Sequence, residues 1–144
     1  MGADPSEVDL RIPNEIMNQG KVEVIDEIMS RDMLEHMPQL PGFEGIDGLK
    51  RFVIAFRQAF PDLHYDIEFH TSAGDIVTTV ATGSGTMKGD FMGMPASGKR
   101  AEWREIHVAR VRDGMVVEHW GVVDQLTMLR QLGFAPIPEG APAG

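Results

Sequence analysis

The sequence predicts one α+β domain, with helices packed on one face of a curved, mainly antiparallel sheet that encloses a pocket. Three observations predict it. The first half of the chain carries apolar residues at helical spacing. The second half alternates with a period of two and is punctuated by turns at Ala73-Gly74 and Asp113-Gly114. The chain has 144 residues, a length at which folding buries roughly 70% of the unfolded surface, so one core suffices. The domain is expected over residues 1–134, with the Pro/Gly-rich stretch 135–144 as a flexible tail.

Ser6 followed by Asp9 resembles a helix start, and Ile12 and Ile16 share a face. Pro13 marks a kink or a second helix start, because proline brings no amide hydrogen. Asn18-Gln19-Gly20 stops this segment. Val22, Ile25, Ile28 and Met29 predict a short second helix, and residues 33–37 a strand closed by Pro38. Ile46, Leu49, Phe52, Val53, Phe56 and Phe60 form a stripe with a 3.6-residue period that ends at Pro61.

Strands are expected over 64–71, 76–87, 102–111 and 116–123, and a last helix over 124–132 with Gly133 as its C-terminal cap. A two-residue turn at Ala73-Gly74 pairs Tyr65 with Thr82, Ile67 with Val80, Phe69 with Thr78 and Thr71 with Ile76, as a buried set. Asp66, Glu68 and His70 then fall on a polar face. The Asp113-Gly114 turn pairs Arg112 with Met115, which sets His107 opposite Trp120, Glu105 opposite Val122 and Trp103 near Asp124. That register puts Trp103, Glu105, His107, Trp120 and Asp124 on one face. Arg104, Ile106, Val108, Arg110, Val117, His119 and Val123 form the other, an apolar strip with a charged rim that suits self-association.

A carboxylate and an imidazole between two indoles make an acid/base site if that face looks into the pocket. Burial raises a carboxylate's pKa towards neutral pH and lowers a histidine's, which favours the neutral imidazole that acts as a base. Structural roles compete with this one. Asp124 suits the N-cap of the last helix, His107 suits a satisfied core histidine, and Glu105 suits an ion pair with Arg104 or Arg57. His36 is placed at the pocket mouth. Phe52, Phe56, Tyr65, Phe69, Met92 and Met94 are expected to line or roof an apolar cavity.

Other chemistries find no support. The chain contains no cysteine, so thiolate metal sites, cysteine nucleophiles and disulfides are excluded, and a reducing cytoplasm fits. His36, His64, His70, His107 and His119 show no metal-binding spacing. The glycine-rich stretches do not lead from a strand into a helix, so no dinucleotide cofactor is expected. A net charge of −9 disfavours nucleic acid. No apolar run approaches the ~20 residues of a membrane span, and the first ten residues do not read as a secretory signal.

Several segments carry a resemblance. These are Asn18-Gln19-Gly20-Lys21 with Ile25-Asp26-Glu27-Ile28, Glu35-His36-Met37-Pro38, and the run from Pro41 to Gly45. Phe56-Arg57-Gln58-Ala59-Phe60-Pro61-Asp62-Leu63 and the Gly89–Gly98 loop add to them, as do Arg112-Asp113-Gly114, Glu118-His119-Trp120, Asp124 and the run from Leu129 to Gly133. Together they resemble SnoaL-like polyketide cyclases, also called ester cyclases, across residues 8–134. The resemblance implies a cone-shaped, nuclear-transport-factor-2-like fold, commonly assembled as a homodimer or homotetramer. It implies intramolecular aldol closure of a polyketide ring with no cofactor or metal. It also implies that a carboxylate near the end of the last strand, matched by Asp124, is the acid/base, with His107 assisting. The expected ligand is a small apolar, carbonyl-containing molecule. The alternatives are a non-catalytic binding protein and an epoxide-opening hydrolase of the same fold; for the hydrolase no Asp-Arg-Asp set can be assembled on the pocket face.

Overall fold

The computed structural model describes residues 4–135. Apart from Ala135, the expected tail lies outside the described residues. Helix α1 (Pro5–Arg11) is capped by Asp4, whose carboxylate accepts the amide of Ser6, so the cap lies two residues before the expected Ser6. Pro13 cannot donate to the helical ladder, and the chain passes into a π-helical turn over Ile12–Met17, with the Asn18 amide reaching back to the Pro13 carbonyl. The Arg57 guanidinium binds the carbonyls of Met17 and Asn18 at 2.6 and 3.1 Å and ties off that turn. Arg57 therefore does not pair with Glu105.

Helix α2 (Glu23–Ile28) runs directly into strand β1 (Met29–Glu35). The strand begins four residues before the expected start because Met29 already has extended backbone at the helix C-cap. Helix α3 (Gly45–Ala59) carries the predicted apolar stripe. Strands β2 (His64–Ala73), β3 (Ile76–Thr86), β4 (Arg100–Arg112) and β5 (Met115–Val123) follow, then helix α4 (Gln125–Leu132). The sheet order is β1-β5-β4-β3-β2, antiparallel except for the parallel β1–β5 pair. The α+β layout is as predicted.

Two bulges shift the expected faces. In the first hairpin Ala73 pairs with Ile76, so the turn is Gly74-Asp75, and the register slips between Ile67 and Phe69. Tyr65 and Ile67 stay inside, but the extra residue turns Phe69 outwards, where it is 67% exposed, and brings His70 in. On β3 the buried residues are Val77, Thr79, Ala81, Gly83 and Gly85, so Ile76, Thr78, Val80 and Thr82 belong to the outer face. In the second hairpin Arg112 pairs with Met115 as expected, but Val111 pairs with Val116 and Arg110 with Glu118. Val117 is the unpaired residue. Beyond it His107 faces Gly121, Ala109 faces His119 and Glu105 faces Val123. Trp120 therefore leaves the His107 face and His119 joins it.

The inner face has three zones. At one end Val77, Ala109, Val111 and Val116 pack against Val8, Ile16, Val24, Ile25, Ile28, Ile46 and Val53. At the other end Ala81, Ala101 and Trp103 pack with Tyr65, Phe56, Phe60, Leu63, Met87 and Leu132. Trp103 is seated over Gly83, where any Cβ would lie 2.7 Å from the indole ring. Between the two apolar clusters runs a belt of polar residues: Thr79 on β3, Glu105 and His107 on β4, and His119 on β5.

Candidate active site

The belt is organised around Glu105, a buried carboxylate. Its Oε2 accepts the Tyr65 hydroxyl and the Trp103 indole N–H, each at 2.7 Å, and its Oε1 lies 2.7 Å from His107 Nε2. Burial pushes the Glu105 pKa up, but the bond and charge of His107, then the Trp103 and Tyr65 donors, bring it below the usual glutamate value. Burial, followed by the charge of Glu105, drives the Tyr65 hydroxyl well above its ordinary value, so it stays a donor. Arg104 binds Glu68, so it is not the partner of Glu105 either.

The chain of bonds continues past Glu105. His107 Nδ1 lies 2.9 Å from His119 Nε2, and His119 Nδ1 lies 2.6 Å from Glu35 Oε2 on the edge strand β1. The imidazole rings have centroids 5.1 Å apart. His107 is the most accessible member of the chain, with 30% of its side chain exposed against 9% for Glu105. Gly121 makes this packing possible, since a Cβ there would lie 2.6 Å from Met37 Sδ and 2.7 Å from His107 Nδ1. Overpacking costs about 1–3 kcal/mol, so Gly121→Val is expected to lose that much in denaturant unfolding; an unchanged midpoint and slope would mean the space is open.

A second polar group lies beside the first on the same face. The Thr79 hydroxyl binds Asp9 Oδ2 of α1 at 3.0 Å, and His70 Nδ1 binds that hydroxyl at 3.0 Å. His70 Nε2 meets the Ser6 carbonyl at 3.2 Å. Burial raises the Asp9 pKa; the Thr79 bond and the charges of His70, His107 and His119 partly offset this. Thr79 pairs directly with His107 across β3 and β4.

The remaining predicted site residues are distributed elsewhere. Asp124 is the N-cap of α4, its carboxylate accepting the Thr127 amide at 3.1 Å and hydroxyl at 2.7 Å. Those bonds hold its pKa below the usual aspartate value, the side-chain bond first. It borders a shallow groove with Arg104, Ile106, Val122 and Leu126, of which Arg104, Ile106 and Val122 are residues of the outer face. Trp120 stacks on His36, with centroids 4.8 Å apart and planes 7° apart, and His36 bonds Glu118 at 2.8 Å. The Val117 bulge is why Trp120, which flanks Gly121 on β5, does not share a face with His107. Phe52, Phe56 and Met94 join the second apolar cluster, where Phe91 packs on both phenylalanines. Met92 is 46% exposed.

His119, Glu35, Asp9, Thr79 and His70 were not singled out from sequence as site residues. Among the described residues no cluster of three or more His, Asp or Glu is arranged to hold a metal ion. Among them, too, no helix is long and apolar enough to cross a membrane.

The family model described as SnoaL-like polyketide cyclase matches residues 8–132. Aklanonic acid methyl ester cyclase DauD of Streptomyces sp. (strain C5) is 32% identical over 133 residues, covering 88% of this chain and 81% of that protein. Aklanonic acid methyl ester cyclase DnrD of Streptomyces peucetius is 32% identical over 134 residues, with 88% and 90% covered. Among solved structures, IdmH of Streptomyces antibioticus superposes with a TM-score of 0.77 at 30% identity, covering 91% of this chain and 99% of that one. TsrD of Streptomyces laurentii shares the fold, with a TM-score of 0.80 at 24% identity over 94% of this chain and 100% of that one.

Proposed function

The chain belongs to the SnoaL-like polyketide cyclase family, and from that premise we propose that it closes a ring in an apolar, carbonyl-containing metabolite by cofactor-free acid/base chemistry, with His107 as the proton-transfer group. The observation that carries this reading is the accessible His107 imidazole bonded at 2.7 Å to the buried Glu105 carboxylate. Tyr65 and Trp103 fix that carboxylate, and Trp103 continues into the aromatic cluster of Phe56 and Phe60, a setting for an apolar substrate.

An intramolecular aldol step fits these groups. A base removes a proton from a carbon next to a carbonyl. The electron pair left on that carbon forms a carbon–carbon bond to a second carbonyl of the same molecule as that carbonyl's oxygen takes up a proton, so product and substrate have the same mass. An imidazole performs both transfers. We read Asp124 as a cap rather than as this base, because its carboxylate already accepts two Thr127 bonds that favour its ionised form.

The methyl ester named in its relatives is the first substrate to test. Purified protein is expected to convert aklanonic acid methyl ester to an isomer of unchanged mass with a new chromatographic retention, and Asp124→Asn is expected to retain that rate. Loss of turnover in a folded Asp124→Asn would return the acid/base role to Asp124. A binding protein without chemistry is the second reading, favoured because the polar atoms of the belt already bond one another. A rise in melting temperature with the ester, without turnover, would establish it.

The outer face supports self-association, and we propose a homodimer or homotetramer in the cytoplasm, a compartment that the cysteine-free sequence suits. Ile106, Val122, Phe69 and Leu126 are 44–70% exposed there, rimmed by the Arg104–Glu68 pair. Val122 and Trp120 take the place expected of Val123 and His119 on this face, again through the bulge. Light scattering at micromolar concentration is expected to give a multiple of the 15.9 kDa chain mass; a monomer mass would refute it.

A further inference from the structure

The chain from Glu105 to Glu35 contains three hydrogen bonds, at 2.7, 2.9 and 2.6 Å. Each needs one proton between its heavy atoms. Ionised carboxylates bring none, and two neutral imidazoles bring one each. Two protons cannot fill three bonds, so the chain holds one more. Glu105 is not where it resides, since that carboxylate collects donors from Tyr65, Trp103 and His107, an arrangement that suits the ionised form. At the other end His119 sits 2.6 Å from Glu35 and donates best to an ionised carboxylate. The two end bonds are then N–H donations into carboxylates, and the surplus proton lies in the middle, between His107 Nδ1 and His119 Nε2.

From this count we propose that His107 and His119 form one proton-holding unit of two rings and three N–H protons. Glu35 is the residue that positions the unit, and the middle proton is the one delivered to substrate oxygen. The last clause rests on the acid/base reading of His107; the proton count does not. In the aldol step the pair gives its middle proton to the carbonyl oxygen under attack, which becomes a hydroxyl. It takes one back from the carbon that becomes the nucleophile, whose C–H electron pair forms the new carbon–carbon bond. The pair ends each turnover with the proton number it began with, and no other reactant is needed.

The charges that face the pair are few. Glu105 and Glu35 bind its two ends, and Asp9 of α1 is within electrostatic reach of both rings. His70 lies behind Asp9, across Thr79. Met37 and Gly121, which pack against the middle bond, are uncharged. A surplus proton among three carboxylates is electrostatically favoured.

The count can be read without substrate. Protein labelled with ¹⁵N in its imidazoles, at neutral pH, is expected to show three N–H protons over His107 and His119, the middle one far downfield. Glu35→Gln is expected to show two. The new amide donates to His119 Nδ1, His119 Nε2–H then donates to His107 Nδ1, and all three bonds survive with one proton fewer. A purely structural Glu35 would leave the count at three. Two ring protons in the wild type, which needs no variant to fold, would overturn the proposal, as would a Glu35→Gln protein that keeps three. In the ester assay Glu35→Gln is expected to lower kcat with KM nearly unchanged, since the pair left with two protons is neutral and could give up its middle proton only by becoming an imidazolate, while every contact is kept. A wild-type kcat would overturn the delivery of that proton to substrate. A three-proton pair in a protein that turns over no ester would instead count against the cyclase reading.

Discussion

His107→Gln is expected to lower the turnover of the ester by about 10²- to 10⁴-fold, the usual contribution of a positioned general acid or base. Glutamine reaches Glu105 Oε1 with its amide, so the end of the chain at Glu105 stays satisfied. What is lost is a group that accepts and returns a proton. Stability is expected to change far less, because the side chain is part-exposed and one bond is retained. The measurement pairs kcat/KM with the denaturant midpoint of the same preparation. A folded variant that turns over at the wild-type rate removes His107 from the chemistry.

Glu105→Ala is expected to be the most destabilising change in the belt. It leaves the Tyr65 hydroxyl, the Trp103 indole N–H and His107 Nε2 without their acceptor between two packed clusters. Removing one partner of a buried charged pair costs about 3–5 kcal/mol. That is a large share of the roughly 5–15 kcal/mol by which domains are stable. Glu105→Gln separates the fold from the chemistry. Its carbonyl oxygen still accepts from Tyr65 and Trp103, while its amide donates to His107 Nε2 and forces the proton of that ring onto Nδ1. Equilibrium unfolding is expected to place Glu105→Gln well above Glu105→Ala, with turnover lost in both. Equal stability of the alanine variant and the wild type would show that Glu105 does not organise the site.

How much of this was legible in the sequence follows from where alternation holds. Along β4 it is unbroken, so Trp103, Glu105 and His107 could be placed on one face from their spacing alone. The stripe on α3 and the Asp113-Gly114 turn were equally plain, since each is a local pattern of strong preference. Pairing across strands was not. The misplacement of Trp120 and His119 comes from one residue, Val117, and of Phe69 and His70 from one extra residue between Ile67 and Phe69. A hint existed in Met115-Val116-Val117, three successive apolar positions at which a period of two cannot be kept. Asp9 and Glu35 could not have been joined to the belt by any local rule. They reach it from α1 and the parallel strand β1, and only the folded topology brings them there.

Val117 also bears on how such a domain diversifies. The side chains that β5 presents inwards are set by whether one residue is bulged out or paired, ahead of the whole segment from His119 to Val123. A β5 of this same sequence that paired regularly from the Asp113-Gly114 turn would invert the segment, sending His119 outwards and bringing Trp120 in towards His107 with every residue type unchanged, whereas loss of the Val117 codon would remove the bulge and keep His119 opposite Ala109. Gain and loss of the bulge at constant length therefore offer a route between a polar and an aromatic lining that substitution of the lining residues could reach only through several intermediates. Homologues that align across this strand without gaps share its inward set only if they share the bulge. Positional identity at 119–123 is on its own a poor guide to shared chemistry.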